Sequence, residues 1–242
     1  GSGIVAFDKF TGDVKYMVSD ELAGYASPIV ASIEGRRYCF AFCRGGLLAF
    51  DPIDGSIDFQ YPWRSKKLES VNASTPVVVG NEVFISEAYS LGSSLLRIAA
   101  GDYQVVWQDD VRQRQKALNV HWNTPVYRDG YLFSGSGQNS PDAELRCIEW
   151  QTGKVMWSVP TRAHISLLSV DDRLIGLEEF GTLLLIDPSP SACKVVSHVE
   201  LRDQLNEPLR HPCWAAPILS HGLLFLRSQN RLLCLDLSLT PD

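Results

Sequence analysis

Apolar residues in this chain fall in short runs, each closed by a cluster of Gly, Asp, Pro or Ser, and almost nowhere do they keep the 3.6-residue period of an amphipathic helix. The runs belong to two phrases that alternate. The first reads strand, acid, turn, strand: IVAFDKFTGDVKY (4–16), LLAFDPIDGSIDF (47–59), LRCIEWQTGKVMW (145–157), LLLIDPSPSACKV (183–195) and LLCLDLS (232–238). A worn copy without the acid, LLRIAAGDYQVVW (95–107), fills the gap between the second and third. The acids are Asp8, Asp51, Glu149, Asp187 and Asp236, followed by turn glycines at Gly12, Gly55, Gly101 and Gly153. A carboxylate accepts backbone N–H groups at a reversal and glycine supplies positive φ, so the phrase predicts a β-hairpin.

The second phrase is strand, Gly or Asp turn, strand: SPIVASIEGRRYCFAF (27–42), TPVVVGNEVFIS (75–86), TPVYRDGYLFSG (124–135), ISLLSVDDRLIGL (165–177) and APILSHGLLFLR (216–227). Pro28, Pro76, Pro125 and Pro217 share one position, with Leu167 in the fourth copy, giving steps of 48, 49, 42 and 50 residues. Two interleaved hairpins per step make a four-stranded unit, and a series of such units predicts an all-β propeller of four-stranded antiparallel blades. The expected organisation is one domain over 1–242: a half blade at 3–18, complete blades at 25–63, 73–108, 122–160 and 164–200, and an incomplete blade at 215–238. First strands are expected to enter at or near 28, 76, 125, 167 and 217. One segment, VELRDQLNEP (199–208), has a spacing that suggests a turn or two of helix. Since the phrases begin and end in mid-blade, the chain is expected to be the C-terminal part of a larger propeller, with bare sheet faces and edges that favour self-association.

Composition narrows the partners. With 242 residues, 45% hydrophobic and 21% charged, the chain can bury a large core. It contains no run of eighteen apolar residues and no basic segment followed by an apolar one, so no membrane span and no leader is present in it. The net charge of −6, with Lys and Arg scattered, argues against nucleic acid as a partner.

The pattern Ala, any, Asp, two residues, Thr-Gly, three residues, Trp is best kept by Ala6-Phe7-Asp8, Thr11-Gly12 and Tyr16, and by Cys147-Ile148-Glu149, Thr152-Gly153 and Trp157. With closing aromatics at Tyr16, Phe59, Trp107 and Trp157, the whole chain resembles the pyrroloquinoline-quinone-like propellers and their tryptophan-docking signature. That family includes quinoprotein alcohol dehydrogenases, the outer-membrane assembly propeller lipoprotein and exported proteins without catalysis. Phrases such as YPWRS (61–65) and SVNASTPVVVG (70–80) are most similar to the last group. The resemblance implies a periplasmic or envelope location and a scaffold that binds a protein or small ligand. Its alternatives are a quinone-dependent dehydrogenase, with pyrroloquinoline quinone and calcium, and a carbohydrate or small-ligand binder.

The residues themselves favour binding over catalysis. Five acids in register serve turns, whereas an enzyme needs a unique carboxylate. Cys147 and Cys234 occupy the slot of Ala6 and Ala49, where a small side chain fits between packed sheets. Cys39 and Cys43 stand roughly 13 Å apart along a strand, beyond disulfide reach. The chain has no CxxC for zinc or thioredoxin chemistry, and none of the adjacent cysteines that the quinoprotein alcohol dehydrogenases carry. The SGSG stretch (134–137) lacks the strand-to-helix elbow of a serine nucleophile. In a propeller, residues just before each first strand converge on one rim of the channel. That places Asn72, His121, Trp122, Asn123, His164, His211 and Trp214 as candidate ligand-binding residues with aromatic walls from the two tryptophans. The histidine offsets from the proline slot differ and no acid stands among these positions, so no metal, no cofactor and no catalytic residue is expected.

Overall fold

The structure, a computed structural model, describes residues 3–238. Six antiparallel sheets follow one another along the chain, and each is a meander in sequence order. The first is the hairpin β1 (Ile4–Phe7) and β2 (Val14–Val18). Four four-stranded sheets follow. They are β3 (Ile29–Ile33), β4 (Arg36–Cys43), β5 (Gly46–Phe50) and β6 (Ile57–Pro62); then β7 (Val77–Val79), β8 (Glu82–Glu87), β9 (Gly92–Ala99) and β10 (Asp102–Gln108). Next come β11 (Val126–Arg128), β12 (Tyr131–Ser136), β13 (Glu144–Glu149) and β14 (Val155–Pro160), then β15 (Ile165–Val170), β16 (Arg173–Glu178), β17 (Thr182–Pro188) and β18 (Cys193–Glu200). A three-stranded sheet, β19 (Ile218–Ser220), β20 (Leu223–Arg227) and β21 (Leu232–Asp236), closes the series.

The sheets group into two compact units. One holds residues up to Trp122 together with the turn Gln151–Gly153, and the other holds Asn123–Trp150 and the chain from Lys154 onward. In the first unit, β3–β6 is buried on both faces. Phe40, Phe42, Leu47 and Ala49 face Val83, Ile85, Leu96 and Ile98 of the next sheet, while Cys39, Ala41, Leu48 and Phe50 face Ile4 and Tyr16. This is why its sequence reads as near-continuous apolar runs. In the second unit, Phe133, Leu145 and Cys147 pack on Ile165, Leu174 and Ile186, and Ile175 and Leu177 pack on Leu224 and Leu226. Each fully buried side chain of this size contributes about 1.5–3 kcal/mol over its exposed state.

The proline slot explains where first strands start. Strands β3, β7, β11 and β19 begin one residue after Pro28, Pro76, Pro125 and Pro217, because proline has no N–H to donate to the ladder. In β15 the slot holds Leu167, which pairs with Gly176, and the strand starts two residues earlier at Ile165. Three of the five turn acids, Asp8, Asp51 and Asp236, cap their turns as the hairpin reading expects, while Asp187 lies instead beside Arg173 and Lys194. Phe10 and Thr11 N–H groups donate to Asp8 Oδ1 at 2.9 and 3.1 Å, Ile53 N–H to Asp51 Oδ1 at 2.8 Å and Ser238 N–H to Asp236 Oδ1 at 2.9 Å. These bonds, with the nearby Lys15, hold the Asp8 carboxyl down to about 2.

A second feature recurs in the outer hairpins. Tyr16 lies opposite Ala6, Phe59 opposite Ala49, Trp107 opposite Leu95 and Trp157 opposite Cys147. Each ring leans on the following outer hairpin. Tyr16 Oη donates to Pro52 O at 2.9 Å, Phe59 packs 5.0 Å from Tyr103, the Trp107 ring covers Gly153, and Trp157 Nε1 donates to Ser189 O at 2.8 Å.

Two local expectations fail. Residues 199–208 are not helical: Val195 and Val199 keep β18 extended through Glu200, and Asp203 Oδ1 then accepts N–H bonds from Leu205 and Glu207 in a turn closed by Pro208. The β-branched residues and the side-chain-capped turn outweigh the helical spacing. Cys234 is exposed whereas Cys147 is fully buried, because the side of β19–β21 that bears Cys234, Ile218 and Leu232 is open.

Candidate functional site

The rim residues fall into two sets, one in each unit. In the first, Asn72 is a staple of the fold. Its Nδ2 donates to Cys43 O at 2.7 Å and Trp63 O at 3.2 Å, and its backbone carbonyl accepts the N–H groups of Tyr25 and Ala26. His121 Nε2 lies 3.0 Å from Tyr89 Oη, the two rings meet edge to face, and Trp122 tilts against the imidazole at 4.8 Å. The Tyr89 loop is held from below by Glu87, only 1% exposed, which accepts the N–H groups of Tyr89 at 2.8 Å and Leu91 at 2.6 Å. Burial pushes the Glu87 carboxyl up, against the opposing pull of those two N–H groups.

The second unit assembles a tighter group around a residue absent from the sequence-derived set. Glu179, one residue past the end of β16, is 4% exposed. Ser140 Oγ donates to its Oε1 at 2.7 Å and Trp214 Nε1 to its Oε2 at 3.0 Å; the His164 N–H makes a longer contact of 3.4 Å with Oε1. His211 Nε2 stands 3.4 Å from Oε2. The Glu179 backbone also takes part: its N–H donates to His164 O and its carbonyl accepts the Cys213 N–H. Burial opposes ionisation of Glu179, but the bonds from Ser140, Trp214 and His164 outweigh it and hold the carboxyl below the usual range. Burial also lowers the His164 imidazole.

Above the carboxylate the rings are open. Phe180 stacks on His211 at 4.7 Å, Trp214 meets His211 edge-on at 6.1 Å, and the Trp214 side chain is 51% exposed. Asn123, by contrast, turns inward: its Nδ2 donates to Ser134 Oγ and Gly135 O, both at 3.0 Å.

The expectation that no acid accompanies the rim histidines is therefore corrected by Glu179. Glu87 and Glu179 lie at or just past the ends of second strands, away from the residues that precede each proline slot. The legible signal was an acid directly after a buried apolar run, in VFISE and LIGLEE. A carboxylate with this many donors is poorly placed to take a proton from a substrate and well placed to position aromatic edges. Among the described residues, no three His, Cys, Asp or Glu side chains gather as a metal site requires. All six cysteines are free thiols.

Residues 1–102 match the family model described as outer membrane protein assembly factor BamB. Among solved structures, BamB from Moraxella catarrhalis superposes with a TM-score of 0.68 at 13% identity, over 97% of this chain and 64% of its own. The computationally designed protein Ika8 gives 0.64 at 12% identity, over 98% and 65%. The quinohemoprotein alcohol dehydrogenase of Comamonas testosteroni gives 0.63 at 14% identity, over 96% and 50%. The chain thus spans just under two thirds of the length of the first two. No protein of curated function matches it by sequence. At these identities the likeness shows the fold alone, a β-propeller of four-stranded antiparallel blades.

Proposed function

We propose that this chain is a non-catalytic propeller module that binds a partner protein in the periplasm or cell envelope through the rim carrying Trp214. The observation that carries the reading is the environment of Glu179. Its carboxylate is spent on Ser140, Trp214 and the His164 backbone, and what it presents outward is a half-exposed indole beside two further rings. Exposed, immobilised aromatic side chains are the groups that anchor protein contacts at low entropic cost. The match of the first 102 residues to a family described as an outer-membrane assembly factor supports the location and the protein-binding role.

A quinone-dependent dehydrogenase is the second reading, favoured by the superposition on the Comamonas enzyme. The polar groups at the predicted rim fit it poorly. The Asn72 and Asn123 Nδ2 groups donate within the chain and the Glu87 and Glu179 carboxylates accept there, which leaves the buried Asn123 Oδ1 as an amide oxygen without a partner. A metal-bound quinone would need more of them free.

A photo-crosslinking residue placed at Trp214 or Trp122 in the living cell tests the reading. Covalent adducts with a defined envelope protein are expected from these positions and not from Phe10 on the first hairpin. No adduct from either, or equal adducts from Phe10, would contradict it.

A further inference from the structure

Four outer hairpins place an aromatic ring opposite their central small or aliphatic residue, and one does not. In β17–β18 the residue opposite Leu185 is Ser197, in the register where Tyr16, Phe59, Trp107 and Trp157 stand. Those four rings fill the space between their own hairpin and the next. Beside Ser197 that space is open. A surface cavity of about 290 Å³ lies there, walled by Leu183, Leu185, Val199 and Leu237, with Ser197 as the polar side chain that the strand alternation turns toward it. Leu237 follows Asp236, the turn acid of the next hairpin, just as Pro52 follows Asp51 where it accepts the Tyr16 hydroxyl. The cavity therefore shares the turn-side boundary that an aromatic side chain meets elsewhere in this chain, and Ser197 and Val199 leave it open to a ligand from solvent.

Its size and lining define what fits. An apolar void of about 150 Å³ is enough to hold benzene, so this one has room for a fused two-ring system. Aliphatic walls favour a flat apolar body. The Ser197 hydroxyl on one side favours a ring with a single polar hydrogen, as the Trp157 indole uses toward Ser189 and the Tyr16 phenol toward Pro52.

We propose that this cavity is a binding site for a small ligand built on one aromatic ring system of indole size, taking the place that Ser197 leaves vacant. None of the rim residues lines it, so the site is independent of the partner-binding reading above.

Titration of the full chain with 5-fluoroindole, followed by fluorine NMR, tests the proposal. Saturable binding at one site is expected. Ser197→Trp, which supplies the ring in cis, should weaken it by about tenfold or more and raise the thermal midpoint, while Ser197→Ala should leave affinity within about threefold. Val199→Trp, crowding the cavity from another wall, should also weaken binding and covers the case in which Ser197→Trp fails to fold. Absence of saturable binding by the wild type would overturn the proposal, as would wild-type affinity in whichever tryptophan variants fold.

Discussion

Trp214 Nε1 donates to Glu179 Oε2 at 3.0 Å, so a half-exposed indole on the loop before β19 is held by a carboxylate buried at the end of β16. Ser140 and the His164 backbone meet the same carboxylate, which makes Glu179 the knot of three loops. Glu179→Ala leaves the buried His164 N–H and the partly exposed Ser140 and Trp214 donors without their acceptor. A loss of about 1–3 kcal/mol in urea unfolding is expected, with Trp214→Ala costing less because its ring is half in solvent.

Glu179 and Glu87 should respond to acid with opposite signs. The folded-state value of Glu179 is lowered, so its contribution is complete above the unfolded glutamate value and is lost as pH falls through the depressed one. The folded-state value of Glu87 is raised, so its ionised form costs stability above that value and the cost is relieved as pH falls through it. Urea midpoints taken from neutral pH down into the carboxylate range check this. Glu179→Gln should flatten the rise of stability with pH, and Glu87→Gln should steepen it; the same effect from both would contradict the two environments.

Gly153 and Gly130 separate backbone strain from a steric clash. Both have positive φ, +70° and +86°, but a Cβ on Gly153 would lie 2.7 Å from the Trp107 ring, whereas one on Gly130 would meet nothing within 4 Å. Gly130→Ala should cost about 1–2 kcal/mol from the left-handed backbone alone. Gly153→Ala should cost measurably more, and Trp107→Ala in the same chain should reduce the difference; equal costs for the two glycines would place the ring elsewhere.

Thiol labelling reads the packing directly. Cys234 is exposed, while Cys39, Cys43, Cys147 and Cys213 are buried, and burial pushes the Cys147 thiol up to about 12. Brief alkylation of the native protein followed by peptide mass spectrometry should label Cys234 first. Labelling of Cys147 at a similar rate would contradict the burial of β13.

The blade repeat was legible because it is local. Proline removes a ladder donor at the same point of four sheets, and a carboxylate caps the same turn of three hairpins, so each leaves a mark in the primary sequence wherever it acts. Leu167 shows the limit of that reading: once proline is replaced by a residue with an N–H, the strand start shifts to Ile165. The candidate site was only half legible. His164, His211 and Trp214 stood out by their place before first strands, but Glu179 gains its role from partners 15 to 39 positions away in sequence, which no local pattern records. Asn72 and Asn123 were read as ligand groups, yet the amides turn to carbonyls and a hydroxyl of the fold. A sequence shows that an amide is present, not which acceptors the chain brings to it.

The binding-module reading stands or falls on whether the chain takes up a redox cofactor and turns over. Calorimetry of the full chain with pyrroloquinoline quinone and calcium, paired with an assay of alcohol-dependent dye reduction, measures both at once. Neither stoichiometric heat nor dye reduction is expected, since the Glu87 and Glu179 carboxylates already serve the fold and a lone amide oxygen at Asn123 does not make a metal site. Stoichiometric binding accompanied by turnover would contradict the reading and identify the chain as part of a dehydrogenase.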